Sequence, residues 1–204
     1  MRIPLKLRGL YAITPELADT GTLLRSVAQA LDGGIAILQY RRKGKQHIDE
    51  AKTLARLCRE RAVLFVVNDN IALALDCGAD GVHLGSADGE LAAARAKLGG
   101  RFLGASCYDS LSAARAAVAA GADYVAFGSV FPSSTKPAAV RAPLTLFGEA
   151  RSLGVPLVAI GGITLQNAPQ LLAAGADCLA VISDLFDAPD VAARARAYGM
   201  LFQS

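Results

Sequence analysis

Ala119-Ala120-Gly121-Ala122-Asp123 and Ala173-Ala174-Gly175-Ala176-Asp177 are the same five residues, and Ala74-Leu75-Asp76-Cys77-Gly78-Ala79-Asp80 ends in the same Gly-Ala-Asp. Each follows an alanine- and leucine-rich segment and precedes a short apolar run. The glycine supplies a left-handed stop for a helix, and a buried strand starts shortly after it. A junction of this kind, used three times, predicts a chain that alternates helices with strands.

Working outward from these junctions, eight short apolar runs stand out, each bounded by Gly, Pro or polar residues. They are residues 10–14, 35–41, 64–68, 81–84, 102–106, 124–128, 156–160 and 178–182. The 204 residues divide into about 25 per run, room for a strand, a crossover helix and short loops. Parallel strands need such crossovers. Eight of them favour closure into a (β/α)8 TIM barrel, a single compact domain spanning 1–204. An open doubly wound sheet is the competing fold, and it is disfavoured because no GxGxxG follows the first strand.

A hydrophobic content of 53% with 19% charged residues describes a globular chain. The 21 Lys and Arg nearly balance the 18 Asp and Glu, so a net charge of +3 argues against a nucleic-acid partner. No stretch reaches the roughly 18 charge-free apolar residues of a membrane span, and Met1 to Leu10 lacks a signal-peptide pattern. Cys58, Cys77, Cys107 and Cys178 match neither a redox pair nor a zinc spacing. A soluble cytoplasmic protein with reduced, mostly space-filling thiols is expected; Cys107, after a strand, can border a site.

Active sites of parallel barrels gather at the carboxyl ends of the strands. After the second run, Gln39, Arg41 and Lys43 share one face by strand parity, with Tyr40 and Arg42 opposite. That face suits a polyanion, and a solvated basic turn including Lys45 would read the same way. Asp69 and Asp88 follow the third and fourth runs and together suit Mg²⁺, which takes one or two carboxylates and completes its shell with water and phosphate oxygens. Each also precedes a helical segment that it can cap. His83 reads as a hydrogen-bonded interior histidine and receives no catalytic role; His47 reads as surface. The hydroxyls and Lys136 of the loop 129–143 suit phosphate oxygens, as do backbone amides around Gly161-Gly162 and at Ile182-Ser183. The rim therefore offers two anion sites for phosphorylated small molecules.

Taken together, Gln39-Tyr40-Arg41-Arg42-Lys43, Asn68-Asp69, Gly81-Val82-His83-Leu84-Gly85 with Asp88, Ser106, the Pro132 to Lys136 loop and Ile160-Gly161-Gly162-Ile163 resemble the thiamine phosphate synthase family. The likeness runs in order from Tyr11 to about Phe186. It implies that Gln39, Arg41, Lys43, Asn68, Ser106 and Lys136 contact a hydroxymethylpyrimidine diphosphate, with Lys136, Arg41 and Ser106 acting in catalysis. It also implies that Asp69 and Asp88 hold Mg²⁺ on the pyrophosphate. Ser133, Thr135, Gly162, Ile182 and Ser183 would hold a thiazole phosphate. In that family pyrophosphate leaves to give a pyrimidinylmethyl cation, which the thiazole nitrogen captures, yielding thiamine phosphate. Ser86 stands where the family commonly has Gln, and Arg42 where an acidic residue is frequent.

The related thiazole tautomerase branch shares the barrel and the thiazole-phosphate pocket. It has no use for Arg41, Lys43, Asp69, Asp88 and Lys136 as a set, so the synthase is preferred. A noncatalytic phosphate-ligand barrel is a third reading that fold alone leaves open.

Overall fold

A computed structural model describes residues 7–203 apart from 18, 43, 45–46, 86–87 and 133–140 and the side chains of 88–90. Its first half runs β1 (Gly9–Ile13), α1 (Thr20–Asp32), β2 (Ile37–Tyr40), α2 (Ile48–Glu60), β3 (Leu64–Asn68), α3 (Ile71–Asp76), β4 (Gly81–Leu84) and α4 (Asp88–Leu98). The second half runs β5 (Phe102–Tyr108), α5 (Leu111–Ala119), β6 (Tyr124–Phe127), α6 (Thr145–Ala150), β7 (Leu157–Ile160), α7 (Ala168–Ala174), β8 (Cys178–Val181), α8 (Ser183–Phe186) and α9 (Val191–Met200). All eight strands are parallel, and β1 pairs with both β2 and β8, so the sheet closes. The barrel expected from the repeat is the observed architecture.

Strand parity sorts the core into two bodies. Leu10, Ala12, Leu38, Tyr40, Phe65 and Val67 point outward and pack beneath the helices. Tyr11, Ile13, Ile37, Val66, Tyr124 and Ala126 point inward and fill the barrel. Their neighbours two residues further along β2, Gln39 and Arg41, therefore point toward the carboxyl end of the interior. Tyr40 and Arg42 point the other way, where both bind Glu50 of α2: the Tyr40 hydroxyl donates at 2.7 Å and Arg42 Nη1 at 2.8 Å.

At the amino-terminal end, the Gly-Ala-Asp repeat makes a clamp. Gly78, Gly121 and Gly175 take φ values of 69°, 96° and 109°, ending their helices as the sequence implies. The aspartate that follows then grips the preceding strand twice. Asp80 Oδ2 accepts the Phe65 amide at 2.8 Å while its own amide donates to the Phe65 carbonyl at 2.8 Å. Asp123 does the same to Leu103, at 2.7 Å in each direction. Asp177 grips Leu157 at 2.9 and 2.8 Å. The corresponding junction before β2 is Gly34-Ile35-Ala36, with Gly34 at φ 86°. There the Ala36 amide still donates to the Leu10 carbonyl at 2.8 Å, but no carboxylate is available to return the bond.

Candidate active site

A cavity of about 620 Å³ opens at the carboxyl ends of the strands. Its wall includes Gln39 and Arg41 beyond β2, Asn68 of β3, His83 of β4 and Ser106 of β5. Across from them stand Gly161 and Gly162 after β7 and Ile182 and Ser183 after β8. Seven residues assigned from sequence thus meet at one space: Gln39, Arg41, Asn68, Ser106, Gly162, Ile182 and Ser183.

The floor is a chain of hydrogen bonds between these groups. Gln39 Nε2 donates to the Tyr11 hydroxyl at 2.8 Å, which lies 2.9 Å from the Tyr124 hydroxyl. Tyr124 in turn meets His83 Nδ1 at 3.1 Å, and His83 Nε2 meets Ser106 Oγ at 2.9 Å. The imidazole also stacks on the Tyr124 ring, centroids 5.6 Å apart. Every group is satisfied when each donates onward from the Gln39 amide. In that arrangement Nδ1 accepts, Nε2 carries the proton, and the Ser106 hydroxyl proton is left for a ligand. Burial pushes the His83 pKa down to about 4, so the ring is neutral at physiological pH and keeps one donor and one acceptor. Burial raises Tyr11 and Tyr124 far above ordinary phenols, so both remain protonated.

Sequence reasoning missed Tyr11 and Tyr124, single tyrosines within apolar runs. The available signal was their inward parity, since a phenol facing a barrel interior needs a partner there. Thr14 was missed as well. Buried just beyond β1, its hydroxyl donates to the Arg41 carbonyl at 2.8 Å and accepts the Arg41 amide at 2.9 Å. This fixes the backbone from which Arg41 reaches into the cavity.

Asp69 lies at the edge of this constellation. It is exposed, outside the cavity wall, and takes φ 60°. The helix-capping alternative does not hold for it: Asn70 caps α3, its side chain accepting the Leu73 amide at 2.9 Å. The Asp69 carboxylate instead receives Asn68 Nδ2 at 2.7 Å. Asp88 is the first residue of α4, within the helix rather than ahead of it as the sequence suggests. Its side chain lies outside the described residues, as do Lys43, Ser133, Thr135 and Lys136. Among the described residues no three His, Cys, Asp or Glu side chains converge on a metal site. A Mg²⁺ ion bound mainly by water and phosphate oxygens needs only one or two carboxylates, and an exposed, oriented Asp69 beside Asn68 suits that demand.

The opposite wall depends on backbone shape. Gly161 and Gly162 take φ 103° and 63°, and a β-carbon on either would collide, with Ser129 in one case and with Pro132 in the other. The chain leaving β6 therefore packs directly on the Gly-Gly turn, and the Phe131 amide donates to the Gly161 carbonyl at 3.0 Å. At the far end, Asp184 of α8 accepts from Arg194 at 2.8 Å and from the Tyr198 hydroxyl at 2.7 Å, tying α8 to α9. Of the two readings open to Cys107, a border of the site or a buried filler, the structure shows the second: it is fully buried among the outward core residues. All four cysteines are free and buried.

A closed parallel barrel whose strands bring polar side chains to a cavity at their carboxyl ends has the architecture of small-molecule barrel enzymes. Residues 10–185 match the family model described as thiamine monophosphate synthase. The chain is 59% identical over 204 residues to a thiamine-phosphate synthase from Aromatoleum aromaticum, covering 98% of each chain. It is 54% identical over 199 residues to one from Chromobacterium violaceum, covering 96% of each. A solved thiamine phosphate pyrophosphorylase from Pyrococcus furiosus superposes with a TM-score of 0.85 at 36% identity, covering 97% of this chain and 96% of that one. The chain belongs to the thiamine monophosphate synthase family, and it is an enzyme. Among the described residues, no helix is long and apolar enough to cross a membrane.

Proposed function

We propose that the enzyme condenses hydroxymethylpyrimidine diphosphate with thiazole phosphate at this cavity, giving thiamine phosphate and pyrophosphate. One observation carries the reading: Gln39, Arg41, Asn68 and Ser106 from one side of the barrel face Gly162, Ile182 and Ser183 from the other across a single cavity. Two phosphorylated substrates would lie there with their reacting ends together.

Gln39, Arg41, Lys43, Asn68, Ser106 and Lys136 hold the pyrimidine diphosphate. Ser133, Thr135, Gly162, Ile182 and Ser183 hold the thiazole phosphate. The carbon–oxygen bond breaks with both electrons going to pyrophosphate, and the thiazole nitrogen lone pair then forms the new carbon–nitrogen bond. Arg41 and Lys136 supply fixed positive charge where the leaving group gains negative charge, and Ser106 donates its hydroxyl proton as a hydrogen bond. Asp69 and Asp88 are the residues that would hold Mg²⁺, which when bound neutralises pyrophosphate charge. Neutral His83 orients Ser106 without adding charge beside a developing cation. Four buried reduced thiols suit a cytoplasmic setting.

The test supplies both substrates with Mg²⁺ and follows pyrophosphate and thiamine phosphate. Coupling is expected, and its absence from the intact enzyme would sink the proposal. Lys136→Ala should lower kcat by about 100-fold or more, with a smaller change in KM. An effect confined to KM would remove Lys136 from the leaving-group role.

A further inference from the structure

Tyr108 is the only aromatic among the exposed large hydrophobic residues described, 52% accessible at the end of β5. It takes φ 52°, a left-handed conformation that bulky side chains rarely adopt. The β5–β6 register shifts between Ser106 and Tyr108, a bulge that re-aims the strand end. A hydrogen bond from the Gly128 amide to the Tyr108 carbonyl, at 2.9 Å, holds this backbone in place. The side chain lines the cavity, just past Ser106 and beside Gly128 and Ser129.

Strain and exposure are both unfavourable, and packing does not repay them because half of the residue stays in water. We infer that the Tyr108 ring is a stacking wall for a flat heteroaromatic ring of a substrate in the cavity. This rests on the proposed condensation, in which both substrates carry such a ring. A tyrosine face stacks well on a flat ring, and the gain beyond area burial corresponds to a factor of about three to ten in affinity. The bulge aims the ring at the bound molecule at the expense of regular backbone, as strained residues at ligand sites do. Tyr108 is a binding residue here; Ser106, Arg41 and Lys136 keep the chemistry.

Three proteins test this: the unaltered enzyme, Tyr108→Phe and Tyr108→Asn. Asparagine tolerates the left-handed backbone but removes the ring, separating strain from stacking. Calorimetry gives the Kd of pyrimidine diphosphate and of thiazole phosphate separately, with the coupling assay and unfolding midpoints measured in parallel. In Tyr108→Asn, the Kd of one substrate should rise about three- to tenfold while the unfolding midpoint holds or increases. Tyr108→Phe should bind within about twofold of the unaltered enzyme. The substrate whose affinity falls identifies the ring that stacks. If Tyr108→Asn binds both substrates like the unaltered enzyme, or only lowers the midpoint, the stacking wall is refuted. If the unaltered enzyme binds but does not couple, the condensation fails while the stacking result stands on its own Kd values. If it binds neither, both readings fall.

Discussion

The two ends of the barrel are built on opposite principles. At the amino-terminal end one device is used repeatedly: a glycine ends a helix, and an aspartate two residues later grips the preceding strand through carboxylate and backbone together. At the carboxyl end, the described side chains that face the cavity share no such repeated device. Gln39, Asn68, His83 and Ser106 are four different residues on four successive strands, and Asp69, just after β3, and Tyr108, the last residue of β5, take left-handed backbone. The difference teaches where each end spends its constraints. Repeated clamps hold neighbouring strands at one end, whereas the other end gives each strand a different polar side chain facing the cavity.

This division can be broken by substitution at either end. The largest effect should come from Arg41→Met, which keeps the Thr14 clamp on the backbone but removes the guanidinium from the cavity. Coupling should fall by about 100-fold with no change in the urea midpoint. A large loss of stability would mean that the rim is structural after all. Next in size, Asp123→Ala leaves the Leu103 amide without its carboxylate and Arg95 without the 2.9 Å ion pair to Asp123. Stability should drop by about 2 kcal/mol while kcat of the folded enzyme is unchanged. A fall in kcat at constant stability would contradict the separation.

A third effect depends on pH. Because folding lowers the His83 pKa from 6.5 to about 4, the unfolded chain takes up this proton first. Stability is therefore complete above about pH 6.5 and declines as pH falls toward 4, by at most about 1.4 kcal/mol per unit. Glu50 contributes on the acid side of that window. Burial alone would raise its pKa, but hydrogen bonds from Thr20 and Tyr40 together with Arg42 outweigh burial and hold it below 4.5. Its stabilisation is present above pH 4.5 and fades below. Urea titrations at several pH values, with His83→Gln as the comparison, should show a shallower slope between pH 6.5 and 4.5 in the variant. Equal slopes would argue that the imidazole is not desolvated. The rate should show no inflection near pH 6.5 in the unaltered enzyme.

The fold was legible because its evidence is periodic. The Gly-Ala-Asp junctions and eight apolar runs specify alternating elements without any single residue being decisive, and the strand ends moved by only a residue or two. Two-residue changes lie at the start of β2 and at the end of β5, which runs on to Tyr108 through a bulge that no local sequence pattern marks. On the rim, parity separated Gln39 and Arg41 from Tyr40 and Arg42 correctly, since alternation needs only the strand. The sequence read His83 as a hydrogen-bonded interior histidine, as it is, but the tyrosines that complete the floor were not legible. Tyr11 and Tyr124 are 113 positions apart, and their contact depends on closure of the barrel. Asp69 was offered as a cap because it precedes a helix; Asn70 stands one residue nearer and takes the amide.

The clamps also carry information about how the barrel is composed. They join β3 with β4, β5 with β6, and β7 with β8, and none spans the seams between those pairs. The β1–β2 pair retains the glycine and the backbone bond but has Ala36 in place of the acid. The cylinder therefore has a broken fourfold symmetry whose unit is two strands with their helices. Three quarters are latched in both directions, and the fourth, which carries Tyr11, Gln39 and Arg41 to the cavity wall, is latched in one.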